Sequence, residues 1–439
     1  MSFFNKIFKK DKQALFPSTD FGRYSDSYKT DEEFDCWDRA VSSFEHGKFV
    51  DSIVSLLEFL RIPEQNNVSW QIHKGGVRFE FWQGSRVVRG FADRTGMSAE
   101  TRIISSSEVP LGLMRHLLEL NYTLKFSRFS LDSTNIVCLI CDNAASDSPP
   151  QKIYQSLREV AIESDRVDEE LQKKFEGLSL LRHQSIRQLL AAEKKTKLRY
   201  VRQWASEILR ELSHGRLNTH IYPGGASFLL LDFLYRTDLL IRPEGRWKEQ
   251  IRHCHEKYFG ESGLEVYEKN KILVEFAQSM AHQKGMHLSK DLYKTPFTFG
   301  IPQPEGHRRF VEVFDSQMSE FEWYFESHYE AYAQAICGYI AGHCLYQYAL
   351  PKPSRDLLML YFRLTVPSFF QEFGYEDVYL ADLESGKKVV TAEVSRIISF
   401  YTPNFSGLEA DVGHLRFDSR AMFSVSFLGM VRNLQYRDF

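Results

Sequence analysis

The sequence predicts an α+β chain: an antiparallel sheet with helices over residues 31–177, then a mainly α-helical domain over 178–439. Three observations carry that expectation. Apolar residues repeat at three and four positions over 34–60, alternate at two over 77–81, and return to the helical repeat over 153–171. Short breaks rich in Gly, Asn and Asp separate the alternating runs, so consecutive strands pair as hairpins. After about residue 200 the chain is dense in aromatic residues at helical spacing and holds most of its 35 Phe and 21 Tyr.

The first helix carries Phe34, Trp37, Ala40, Val41 and Phe44 on one stripe. His46-Gly47 interrupts it, and Val50, Ile53, Leu56, Leu57 and Leu60 continue, giving a helical hairpin or one helix kinked at Gly47. Pro63 and Asn66-Asn67 end this unit. Val68 to Ile72 adds an optional edge strand before Gly75-Gly76. Val77, Phe79 and Phe81 then alternate with Arg78, Glu80 and Trp82, the mark of a half-buried strand. Gly84-Ser85 turns the chain into a strand with Val87, Val88 and Phe91, and Gly96 turns it into another over Thr101–Ser105. Val109-Pro110 opens a helix whose apolar face is Leu113, Leu117, Leu118 and Leu120. Strands Leu124–Leu131 and Ile136–Cys141 follow. Ser148-Pro149-Pro150 starts a last helix with Ile153, Leu157, Val160, Ala161, Ser164, Val167 and Leu171 on one side. The order is α-β-β-β-α-β-β-α, and a sheet of five or six strands covered mainly on one face buries these stripes.

That order, filled by VRFEFWQGSRVVRGFAD, VPLGLMRHLLELNYTLKFSRFSLD, NIVCLICD and KIYQSLREVAIESDRVDEEL, resembles the type III secretion chaperone-like fold, and within it the YbjN family. The resemblance covers residues 31–177, about a third of the chain. It implies a small α/β module, often a homodimer, that binds a protein partner and has no known catalytic residues. Residues 178–439 go beyond it, and no family is recognised in them.

In that second part, residues 178–212 read as helix and Tyr222-Pro223-Gly224-Gly225 as a loop. Phe228 to Leu240 is an apolar run, and Gly260 to Gly263 a break. Helices are expected over 265–282, over 307–349 as the central helix of a bundle, and over 357–373 with an interruption at Pro367. Further helices are expected over 389–401 and 419–434. Small residues Ala331, Ala333, Ala335, Gly338, Ala341 and Gly342 allow close helix approach. Residues 1–30 read as a flexible tail, in which FFNKIFKK offers a short amphipathic anchor for a membrane or partner.

Composition narrows function. A formal net charge of −3 argues against nucleic acid as a partner. Six cysteines at irregular positions read as free thiols of a reducing compartment, so a cytoplasmic location is expected. No apolar run is long enough for a spanning helix, and no cofactor or metal is expected. Cys138-x-x-Cys141 lies on a strand, where residues three apart point to opposite faces and cannot share a metal. Arg252-His253-Cys254-His255 places its imidazoles apart on a helix.

The leading expectation is a non-catalytic, chaperone-like interaction protein that binds a partner polypeptide through its α/β module, with Trp70, Phe79, Phe81 and Trp82 as candidate binding residues. The alternative is an enzyme or small-molecule site in the helical part, lined by aromatic residues and built on Glu322, Glu326, His328 and His343.

Overall fold

Thr30 starts the first helix with a reciprocal cap, its hydroxyl accepting from the Glu33 amide while the Glu33 carboxylate accepts from the Thr30 amide. The computed structural model describes residues 21–106, 109–181, 186–260, 263–282, 288–375 and 383–437. Helix α1 (Asp31–Glu45) ends at Gly47, whose φ of 72° lets the chain reverse into α2 (Phe49–Leu60). The two form a hairpin, tied by the Ser52 hydroxyl donating to the Ala40 carbonyl at 2.7 Å.

β1 (Val68–His73), β2 (Gly76–Gln83), β3 (Arg86–Ala92) and β4 (Gly96–Ser106) come next, then α3 (Leu111–Thr123), β5 (Arg128–Leu131), β6 (Ile136–Ala144), α4 (Pro150–Lys174) and β7 (Leu178–Leu180). Every pairing is antiparallel, in the order β1-β2-β3-β4-β6-β5, with β7 against the end of β4. The sheet therefore has seven strands rather than five or six. β7 pairs where β3 has left β4, and the buried Arg86 guanidinium fills that corner by donating to the Ile103 and Leu181 carbonyls at 2.8 and 2.9 Å.

Alternation decides the faces. Val77, Phe79 and Phe81 turn inward, and all seven α4 residues from Ile153 to Leu171 named above are buried. Gly90 is required by close approach: a Cβ there would stand 2.1 Å from Cζ of Phe79. The edge strand β5 is completed by a side chain, because Asn121 both accepts from the Phe129 amide at 2.6 Å and donates to the Phe129 carbonyl at 3.2 Å.

The rest is largely helical: α5 (Ala191–His214), α6 (Pro223–Arg236), α7 (Gly245–Gly260), α8 (Val266–His282), α9 (His307–Glu326), α10 (Glu330–Gln347), α11 (Lys352–Thr365), α12 (Pro367–Gln371), α13 (Leu383–Tyr401) and α14 (Arg420–Arg432). Short ladders join β8 (Arg187–Gln188) to β9 (Tyr293–Lys294), and β10 (Gln303–Pro304) to β11 (Tyr348–Ala349). α10 is buried almost all round. Its small residues admit α6: a Cβ on Gly338 would lie 2.1 Å from Asp232 Oδ1, and one on Gly342 2.6 Å from the Tyr235 Cβ.

Four expectations are corrected. Residues 178–181 and 186–190 are not helical, and Leu178 and Leu180 complete the sheet edge. Pro223 is not in a loop; it occupies the first turn of α6, where its missing amide is not needed. The helix expected over 307–349 breaks between α9 and α10, where His328 adopts a φ of 62° and the Tyr329 amide turns back to the Tyr324 carbonyl at 2.8 Å. Residues 21–29, assigned to the tail, are packed instead. Phe21 sits among Phe369, Phe370 and Phe373, and Arg23 grips Asp238 at 2.7 and 2.8 Å. Residues 1–20, including FFNKIFKK, lie outside the described residues.

Buried side chains gather in two clusters, one drawn from 189–434 and one from 40–178, and the second also admits Phe299. The segment carrying it, residues 295–300, is zipped to the end of β2. The Gly84 amide donates to the Pro296 carbonyl at 3.1 Å, and the Thr298 hydroxyl donates to the Trp82 carbonyl at 2.7 Å. Gln83 accepts from the Thr298 and Phe299 amides at 3.1 and 3.0 Å and donates to the Phe299 carbonyl at 3.2 Å. The Phe299 ring then meets Phe81 at 5.6 Å and Tyr154 at 5.3 Å, both edge-on.

Candidate functional site

The outward face of the sheet is exposed where the inward face is sealed. Strand register sets Ser69, Glu80, Arg89, Glu100, Ile140 and Arg128 in one row across six strands. A second row of Gln71, Arg78, Phe91, Ser98 and Asp142 runs beside it, and all of these but Arg128 line a shallow trough of about 700 Å³. Charges of both signs alternate here, with Glu80 on Arg89 at 3.4 Å and Asp142 on Arg128 at 2.5 Å. Such exposed pairs stabilise the fold by roughly 0–1 kcal/mol each. They are more informative as a pattern a partner can meet.

The adjoining helix α3 rests on β5 with Leu113, His116 and Leu117 buried. His116 is held between the Glu170 carboxylate and the Lys174 ammonium, each at 3.1 Å. The opposite side is also apolar. Leu111, Met114, Leu118 and Tyr122 form a stripe spaced three, four and four residues apart, exposed by 68, 44, 69 and 93%. The loop after it is fastened down, since the Lys125, Phe126 and Ser127 amides all donate to the Glu159 carboxylate at 2.8–2.9 Å. A contiguous apolar stripe on a rigid helix is the usual mark of an interaction surface.

The residues picked out from the sequence are dispersed by the fold. Phe79 and Phe81 are core, their rings parallel within 6° at 6.5 Å. Trp70 pairs with Phe79 in register and is half-buried at the sheet edge under Arg61. Trp82 faces the other way, half-buried where the helical part meets the module. Within the module, exposed large apolar residues gather most densely on α3, and Leu118 leaves the apolar face assigned to it. A usable signal was present: seven apolar residues between Leu111 and Tyr122 exceed what one side of a helix on a sheet can bury.

Glu322, Glu326 and His328 are exposed on α9 and the turn after it, whereas His343 is buried on α10, fifteen residues beyond His328. They do not converge. His343 instead joins an aromatic cluster, with the Tyr235 hydroxyl between its Nδ1 at 3.1 Å and that of His255 at 2.9 Å. Burial pushes both imidazoles down to about 4, helped for His343 by His255 and Arg309, so both are neutral at pH 7. Cys138 and Cys141 are buried free thiols, and Cys141 alone joins the module core. Among the described residues, no group of three or more His, Cys, Asp and Glu could hold a metal ion. No helix of the described residues is long and apolar enough to cross a membrane.

Compared with protein-family models, with curated proteins and with solved structures, the chain finds no match.

Proposed function

We propose that the protein is a non-catalytic, chaperone-like interaction protein whose α/β module takes an amphipathic helical segment of a partner polypeptide along α3. The observation that carries this is the exposed stripe of Leu111, Met114, Leu118 and Tyr122. Its residues extend over roughly 16 Å of helix, the length of a short helix-on-helix contact. Arg115 and Glu119 are exposed on the same helix, so a bound segment is met by charge of both signs as well as by apolar surface. The neighbouring trough of alternating charge extends the contact. An antiparallel sheet backed by helices on one side also supports the likeness to type III secretion chaperone-like and YbjN modules. Six free cysteines, five of them buried, agree with a cytoplasmic setting.

The test is affinity capture from native cells with the wild-type chain and with a Leu111→Glu, Leu118→Glu variant, followed by reconstitution with the purified captured protein. The expected result is a stoichiometric partner bound by the wild type and weakened at least tenfold by the variant. A mass that doubles with concentration for the wild type alone would assign the stripe to a homodimer. Equal partner binding by both forms overturns the reading.

A further inference from the structure

A second concavity, of about 740 Å³, lies where the module and the helical part meet, away from α3. Residues 21–24, the loop 62–66, Trp82, the β8–β9 ladder, Lys197 of α5, Arg242 and residues 295–297 form its walls. Five cations line it, Arg23, Arg187, Lys197, Arg242 and Lys294, against two carboxylates, Glu64 and Glu244. Arg23 is neutralised by Asp238, and Glu244 is engaged by Lys248 at 3.0 Å. Lys197 is only 3% exposed and meets Glu193, one turn back on α5, at 3.2 Å. Arg187 and Arg242 have no ion pair among the described residues, and Arg187 stands directly opposite Lys294 in the ladder. The cleft therefore holds more positive charge than its own carboxylates balance.

Two further features mark the same place. Burial, with Arg242 and Lys294 nearby and only Glu193 opposing, brings the Lys197 ammonium down to about 8. Like charges gathered in a recess are unfavourable until an anion joins them. The backbone is unusual as well. The chain leaves α6 through a π-helical turn, Thr237–Ile241, and Arg242 then takes φ 50° and ψ 63°, a left-handed conformation disfavoured for any residue but glycine. Uncommon backbone of this kind clusters where side chains must be aimed. The Arg242 guanidinium is backed by Phe297, whose ring centroid lies 5.7 Å away.

We propose that this cleft binds an organic phosphate of nucleotide size, its phosphates on Arg242, Lys197, Arg187 and Lys294 and its planar ring against Trp82, Tyr293 and Phe297. Guanidinium and ammonium groups brought together from three chain segments suit a multiply charged phosphate better than a single carboxylate. The volume suits a ligand of several hundred Å³, and aromatic walls accept a base by stacking. This site and the α3 stripe share no residue, so either assignment stands or falls alone.

Isothermal titration calorimetry of the full chain with ATP, pyrophosphate and adenosine tests it. ATP should bind most tightly, pyrophosphate more weakly and adenosine least, with affinity for both phosphates falling as salt rises. Arg242→Gly relieves the left-handed residue, so its Tm without ligand should match or exceed the wild type, yet its ATP affinity should fall about tenfold or more. Lys197→Met should lose affinity similarly. ATP binding no tighter than pyrophosphate overturns the nucleotide assignment. Absence of saturable binding at millimolar ligand, or unchanged affinity in folded Arg242→Gly, overturns the site.

Discussion

The module and the helical part differ in how their uncovered large side chains are arranged. In the helical part the rings turn inward: Tyr235, Tyr332, Tyr361, Phe362 and Phe427 are all sealed from solvent, and α10 keeps almost no free side. In the module a row of apolar residues stays outside on α3, while the bare side of the sheet is mostly polar and charged. A sheet backed by helices on one side leaves the other to solvent, whereas a bundle encloses its centre. Surface available for binding follows from what the architecture leaves uncovered: the exposed rings of the helical part, such as Tyr222, Phe259, Trp323 and Phe400, are spread over separate elements, whereas α3 lines its exposed apolar residues along one helix.

The contrast breaks first at Phe299, a residue of the helical part that completes the core of the module. Phe299→Ala should destabilise the chain by about 3–5 kcal/mol. Both regions are expected to unfold in one transition at lower denaturant, followed by near-ultraviolet dichroism and by amide protection in β2. Two transitions, with that of the helical part unmoved, would show that the regions are energetically separate. Acid should act next, and on the helical part. Buried His343 stays neutral down to about 4, while the unfolded chain takes up its proton near the ordinary value of about 6.5. Stability is therefore whole above about 6.5 and declines as pH falls towards 4, by about 3 kcal/mol at most. His343→Leu should flatten that slope in denaturant titrations across the range; an unchanged slope removes His343 as its source.

A smaller effect, confined to the module, is expected of Gly90→Ala. The added methyl meets the Phe79 ring and should destabilise by about 1–3 kcal/mol. Hydrogen exchange should quicken in β2 to β4 and stay unchanged in α10. Smallest of all is Leu118→Glu, which should shift stability by no more than about 0.5 kcal/mol while partner binding is lost. A large fall in Tm would mean that Leu118 is less exposed than its position on α3 implies.

Much of the module was legible because its signals are local. The seven inward residues of α4 and the alternation over Val77–Phe81 each follow from a period that the chain itself repeats. The hairpin at Gly47 followed from one residue suited to positive φ. What stayed hidden depends on distant partners. Nothing near Phe299 announces that Gln83, more than two hundred residues earlier, will bind its backbone. No Gly or Pro marks the break at His328, and Leu178–Leu180 becomes a strand only because β4 has a free edge. The candidate site was half legible: the module and its two-faced strand were readable, but large rings drew notice to Trp70, Phe79, Phe81 and Trp82, while Leu118 was placed on the apolar face of α3 and Leu111, Met114 and Tyr122 were passed over.

Residues 21–25 carry a mechanical consequence. Arg23 is riveted to Asp238 and lies 3.5 Å above the ring of Tyr346 on α10, while Gly300 fits beneath Ser25, where a Cβ would stand 2.6 Å from its Cα. The strap thus presses on the central helix and on the inserted segment at once, and Gly22 to Tyr24 also wall the cationic cleft. Displacing residues 21–25 would therefore disturb that cleft and α10 together.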